Sequence, residues 1–217
     1  MEIIASLNEG FIKTLQIFVY TLVGALPLGL IFSLALLSKN KIIKAIFEVL
    51  IWIIRGTPLM LQLLVIYYGP GLIFGSNIWS GNSNGRLIAT LTAFIINYAC
   101  YFAEIYRGGI NSVPKGQEEA GLVLGLSKSQ IFFKIVLLQV IKNILPAMSN
   151  EVITLVKDTS LARTISVYEI IWNGQSFIKA RGLIWPLFFT GIYYLLFCGI
   201  LTIMFNKLEN KLKYFGK

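Results

Sequence analysis

Two carboxylates, Glu151 and Asp158, stand seven residues apart in and just beyond an apolar run. Seven residues are two helical turns, so on a helix both fall on one face, about 10 Å apart. Thr154 and Leu155 lie between them. Such a pair can meet an ammonium group or a cationic side chain; alternatively Glu151 pairs with Arg55 or Lys142 across the helices. A second chemical feature is Arg55-Gly56-Thr57-Pro58-Leu59, also set within an apolar run. Pro58 lacks an amide proton and blocks the bond to the carbonyl of residue 54. It either kinks the helix for packing or breaks it, offering backbone groups and a positive helix end to a solute carboxylate. Thr57, Leu59 and Gln62 would then line the route. Asn97, Tyr101 and Glu104 recur along one helical face and either line the same path or bond between helices. Arg107 reads as a basic anchor at the membrane edge.

The chain contains no histidine, which excludes His triads, His metal sites and imidazole relays. Cys100 and Cys198 are isolated in apolar runs and read as packing residues rather than metal ligands or a disulfide. No GxxxxGK[ST] loop is present to cradle nucleotide phosphates. An enzyme is therefore disfavoured, and no cofactor is expected in this chain.

Most of the remaining residues are there to hold these groups in lipid. Of 217 residues, 56% are apolar and 13% charged, and the mean hydropathy is +0.75. A soluble fold of this size could not hide so much apolar surface. The net charge of +9 gathers in short clusters between apolar runs, the pattern of loops beside a bilayer rather than of a nucleic-acid surface. Five spans are expected, at about 15–37, 46–68, 87–106, 137–156 and 185–205. Each is long enough for a hydrocarbon core of about 30 Å. The whole chain, 1–217, reads as one transmembrane domain with no internal repeat. The acidic first ten residues and the length of the first run argue against a cleavable leader.

With five spans, three basic clusters share one side: Lys39, Lys41 and Lys44; Arg107, Lys115, Lys128, Lys134 and Lys142; and Lys207, Lys211, Lys213 and Lys217. That side is expected to be cytoplasmic, with the N-terminus outside and the C-terminus inside. The uncharged Gly69–Gly85 segment suits an outer turn.

Between the third and fourth spans, SVPKGQEEAGLVLGLSKSQ (112–130) predicts a short isolated helix. Pro114 opens it, Gln117, Glu118 and Glu119 suit its first turns, and Gly125 stops it in the left-handed conformation. Ser127 and Gln130 form the pattern of a capping box for the next helix. So short a helix needs a surface to lie against: either the membrane or a partner. Ala120, Gly121 and Leu124 offer a face for close approach.

The run Gly116-Gln117-Glu118-Glu119-Ala120-Gly121-Leu122-Val123-Leu124-Gly125, with Leu145-Pro146 further on, resembles the cytoplasmic "EAA" loop of the permease subunits of ABC importers. Gly121 replaces the second Ala of that pattern, and Leu138 stands where a Pro often precedes the Gln-Ala step. Ile54-Arg55-Gly56-Thr57-Pro58-Leu59, Ala103-Glu104-Ile105-Tyr106-Arg107-Gly108-Gly109, Asn150-Glu151 and Lys157-Asp158-Thr159-Ser160-Leu161 resemble, in the same order, the polar-amino-acid branch of these permeases. The resemblance implies an all-α integral membrane protein of the type I ABC importer permease architecture, with a cytoplasmic coupling helix, in the plasma membrane. It implies a second permease subunit, identical or related, two cytoplasmic ATPase subunits that bind ATP and Mg, an extracellular solute-binding protein and an amino acid cargo. The coupling residues are then Gly116 to Gly121, Leu124 and Gly125. A secondary transporter or channel, working without ATP, is the alternative.

Overall fold

The computed structural model describes residues 1–82 and 84–212. Lys213 and Lys217, counted above among the tail cations, lie outside them. Among the described residues the chain is helical throughout: α1 (Glu2–Leu36), α2 (Lys41–Arg55), α3 (Leu59–Phe74), α4 (Gly85–Asn111), α5 (Lys115–Val123), α6 (Lys128–Ile131), α7 (Leu137–Asp158), α8 (Ile170–Arg181) and α9 (Trp185–Leu212). A π-helical turn at Phe132–Val136 joins α6 to α7, and a 3-10 turn at Thr159–Ile165 prolongs α7.

Four helical stretches are long and apolar enough to cross a membrane: α1, α4, the continuous run Lys128–Ile165, and α9. The expected second span, 46–68, is not one helix. It is the pair α2 and α3, bent by 103° at Gly56-Thr57-Pro58, and counts as a fifth span only as a broken one. Of the two readings of Pro58, a kink or a break, the break is the one formed, with Gly56 two residues before the proline ending α2. Part of the expected outer turn is also helical, since α3 runs on through Pro70 to Phe74.

Helix α1 begins thirteen residues before the expected start of the first span. Leu7, Gly10, Thr14, Ile17, Thr21, Ala25, Gly29, Ser33 and Leu36 are buried at helical spacing, so one stripe continues through both halves. Its lower part lies along α4 at a seam of small residues. A Cβ built on Gly29 would sit 2.8 Å from Phe102 Cβ and 3.0 Å from the Ala99 carbonyl oxygen. In lipid, close backbone approach supplies the packing energy that the hydrophobic effect cannot. Gly29→Val should therefore force the two helices apart, costing about 1–3 kcal/mol. A lowered thermal midpoint in detergent is the expected readout, and an unchanged midpoint would contradict the seam. The main core lies around this pair, with Ile17, Phe94, Tyr98, Phe102, Leu155 and Ile165 fully or almost fully enclosed. The opposite faces carry exposed Val23, Trp52 and Leu195, as lipid contact requires.

Helix α8 was not anticipated in the segment 157–184. Its signals are a Glu N-cap and a left-handed Gly182 stop. Glu169 is wholly buried, and its two carboxylate oxygens accept from the amides of Ile171 and Trp172 at 2.8 Å each. Burial pushes its carboxyl up to about 7, against the downward pull of those amides and of Arg163. The folded chain thus holds the proton more tightly than the unfolded one. This contribution to stability is complete below the ordinary value of 4.5 and is lost as pH rises through about 7. Stability should fall between pH 5 and pH 8, by up to about 3 kcal/mol. Thermal midpoints across that range should show it, and Glu169→Gln should flatten the profile; an equally steep profile in the variant would assign the pH response elsewhere.

Candidate functional site

The break between α2 and α3 leaves backbone carbonyls of α2 without the next turn's amides. Local groups take them up. Thr57 Oγ1 donates to Ile53 O at 2.9 Å, and Gln62 Nε2 donates to Ile54 O at 2.7 Å and to Thr57 O at 3.1 Å. Asn97 Nδ2 on α4 in turn donates to Gln62 Oε1 at 3.0 Å. Buried Gln62 and Asn97 therefore fix the broken helix to the long one. The price of an open turn in lipid is met by side chains, and the turn becomes a rigid feature.

In front of the break is a cavity of about 520 Å³. Arg55, Gly56, Thr57, Pro58 and Leu59 line one wall, Asn97, Tyr98 and Tyr101 another, and Glu151, Thr154, Asp158 and Leu161 the third. The carboxylates expected to share a face do share this cavity. Thr154, between them, lines it too, while Leu155 turns into the core. Tyr98 OH donates to Asp158 Oδ2 at 2.7 Å and fixes that carboxylate. The Arg55 guanidinium lies over the Tyr101 ring, 5.0 Å from its centre, which holds a cation without neutralising it. Helix α3 starts at the cavity wall with Pro58 at its N-cap, so its positive end faces the same space. One fixed cation, one helix N-terminus and two carboxylates thus surround a volume suited to a small zwitterion or cation.

Three expected lining residues stand elsewhere. Gln62 is spent on the break, as described. Glu104 forms an ion pair with Arg107, at 2.6 Å from its Nη2 and 3.0 Å from its Nε. Three residues on a helix bring such a pair together, so the Arg107 charge is paired with Glu104. Asn150 is exposed and not part of the wall. The proposed pairing of Glu151 with Lys142 is also not formed, since no ion pair among the described residues includes either. The reading of the sequence missed Tyr98 and Leu161. Tyr98 is one residue after Asn97, and only the rotation of α4 against α7 shows that it reaches Asp158.

Between the spans α4 and α7, α5 stands as a separate rod of nine residues. Pro114 occupies the N-cap rather than the first helical position, with Lys115 beginning the helix. Gly125 has φ +74°, and the end is closed by Leu126 N donating to Gly121 O at 3.0 Å and Gly125 N to Leu122 O at 2.9 Å. This is the paired-bond glycine stop. Ser127 and Gln130 then cap α6 reciprocally, as their spacing suggested. Gly121 is the rod's one buried residue, with room for no Cβ: one would meet Ile131 Cγ1 at 2.7 Å. Gly116, Gln117, Glu118, Glu119 and Ala120 are exposed, as are Leu122, Val123 and Leu124. Leu124 thus belongs to the open surface and not to the face that packs on the protein. A rod fixed at Gly121 and open on the rest of its surface can carry a push from outside to α6 and α7.

Known proteins agree with this arrangement. Residues 25–214 match the family described as the binding-protein-dependent transport system inner membrane component. The arginine transport system permease protein ArtQ of Bacillus subtilis is 34% identical over 206 residues, covering 94% of this chain and 91% of the relative. The glutamine transport system permease protein GlnP of Escherichia coli is 34% identical over 210 residues, covering 95% and 93%. A solved amino acid ABC transporter, crystallised with histidines, has a chain that superposes with a TM-score of 0.84 at 30% identity, covering 95% of this chain and 94% of that one. The MetNI methionine ABC transporter, at 15% identity and a TM-score of 0.73, shares the fold. The family match takes in the end of α1, the broken pair, the rod and the later spans, and the chain belongs to the family of inner-membrane components of binding-protein-dependent transport systems.

Proposed function

We propose that this permease subunit carries a polar amino acid, with a cationic one best suited, across the plasma membrane through the cavity at the α2–α3 break. The observation that carries the reading is the charge set there. Arg55 and the start of α3 suit a carboxylate, while Glu151 and Asp158 suit an ammonium and a second positive group. With both acids ionised, the three side chains sum to one negative charge, which an amino acid of net charge +1 neutralises. The relatives named for arginine and glutamine transport support an amino acid cargo.

In this reading, two cytoplasmic ATPase chains grip α5 of this subunit and of a second permease chain, identical or related. They bind the ATP and Mg; an extracellular binding protein delivers the cargo. The N-terminus lies outside and the C-terminus inside. Nucleotide binding favours one state of the ATPase pair, and the rod transmits that preference as a shift between inward-open and outward-open arrangements of α4, α7 and α9. The exposed Leu122, Val123 and Leu124 beside Glu118 and Glu119 support a protein partner for the rod over the membrane surface. Isolation of the tagged chain in mild detergent from cells expressing its neighbouring ATPase, followed by mass measurement, tests this. Two permease and two ATPase chains are expected; a chain that never holds an ATPase would overturn the reading.

A further inference from the structure

A second hollow, of about 460 Å³, lies between α5 and the start of the long span and shares no residue with the cavity at the break. Its wall is one face of that span. Lys134, Leu138 and Lys142 form one ridge at four-residue spacing, and Ile135, Gln139 and Asn143 form the next. Gln117 of α5 closes the other side. Neither lysine enters an ion pair among the described residues. Gln139 Nε2 donates to Ile135 O at 3.1 Å and reaches Gln117 Oε1 at 3.5 Å; Asn143 Nδ2 donates to Ser112 Oγ at 2.8 Å. The π-helical turn Phe132–Val136 contains Lys134 and sets how that residue enters the face; such turns recur at functional positions.

Two unpaired ammonium groups and three side-chain amides in one recess make a site for an anion with several oxygens. No carboxylate lines the hollow to compete with it. Among the lining residues Leu138 is 44% exposed; Phe133 and Ile141, next to Lys134 and Lys142 in sequence, are 62% and 37% exposed. A recess with two lysines and an exposed leucine in its wall, on a stretch of membrane span that also carries exposed Phe133 and Ile141, matches a phospholipid whose phosphate enters while its chains stay outside.

We propose that this hollow binds a phosphate-bearing anion, and that its surroundings favour the headgroup of an anionic phospholipid. Since Gln117 lies on α5, an occupant bears directly on the rod. Binding itself requires neither the cargo nor the ATPase, so it can be tested apart from transport. The purified chain, in mild detergent, would be titrated with phosphatidylglycerol or phosphatidylcholine and followed by native mass spectrometry. Phosphatidylglycerol should be retained in preference. With each lysine near the surface contributing a similar increment, Lys134→Gln should weaken retention about fivefold and the pair Lys134→Gln with Lys142→Gln about thirtyfold. The pair Lys134→Arg with Lys142→Arg should keep it. Inorganic phosphate should displace the lipid; phosphate binding that depends on both lysines, with no preference between the lipids, would assign the same site to free phosphate. Equal retention of the two lipids with phosphate inert, or retention indifferent to the lysines, would overturn the proposal.

Discussion

Glu151→Gln should reduce uptake of a cationic amino acid about ten- to hundredfold more than uptake of a neutral one. A hydrogen bond to a charged group contributes about 1.5–3 kcal/mol, and each 1.4 kcal/mol is tenfold. Glu151 and Asp158 occupy one wall of the cavity, and they are not equivalent. Asp158 is held by Tyr98, whereas Glu151 has no hydrogen bond or ion pair among the described residues. A charge kept half-buried in a span, where insertion costs about 2.5–3.5 kcal/mol, is retained for what it can meet there. Glutamine keeps the shape and removes the charge, so a fall confined to cationic cargo identifies the role. Competition uptake with labelled arginine and glutamine in vesicles provides the measurement. Unchanged uptake and unchanged preference would remove Glu151 from the path.

Uncoupling is the expected result at the rod. Gly125→Leu places a branched side chain at φ +74°, where a non-glycine residue costs about 1–2 kcal/mol. The paired-bond stop then loosens, and the direction in which α5 hands over to α6 is lost. Glu119→Lys leaves the rod intact and reverses one exposed charge on its docking side. Both variants should hydrolyse ATP in the assembled complex while uptake falls at least about tenfold, the equivalent of about 1.4 kcal/mol of lost coupling. The thermal midpoint should change little for Glu119→Lys, an exposed position, and fall by a few degrees for Gly125→Leu, in line with its backbone strain. Transport undiminished in both variants would contradict the docking role.

The sequence was informative wherever local chemistry sets structure. The rod's two ends, the capping box at Ser127 and the shared face of Glu151 and Asp158 all follow from spacing along one helix. The membrane class followed from composition, the spans from the apolar runs, and the permease architecture from the resemblance. Features that depend on how helices meet were not legible. The run 46–68 is mostly apolar on both sides of Gly56-Thr57-Pro58, and its hydropathy does not distinguish a kink from a turn of 103°. Gln62 read as a pathway residue and Asn97 as either a pathway residue or a bond between helices; their contact across α3 and α4 shows that they close the break, while Asn97 also lines the cavity. Glu104 was assigned to the path by face, although Arg107, one turn away, was nearer at hand. Helix α8 was missed because a buried glutamate cap inside a polar loop looks like any loop acid until its burial is known.

The most direct measurement is uphill uptake in sealed vesicles. Vesicles holding this chain with its ATPase and binding protein, with all ion gradients collapsed, should accumulate labelled arginine when ATP is supplied on the α5 side and should stop when it is withdrawn. Vesicles holding the chain alone should accumulate none under any imposed ion gradient. Concentrative uptake by the chain alone, or uptake by the complex that persists without ATP, would contradict the reading of this subunit as a pathway driven through α5 by a separate nucleotide-hydrolysing partner.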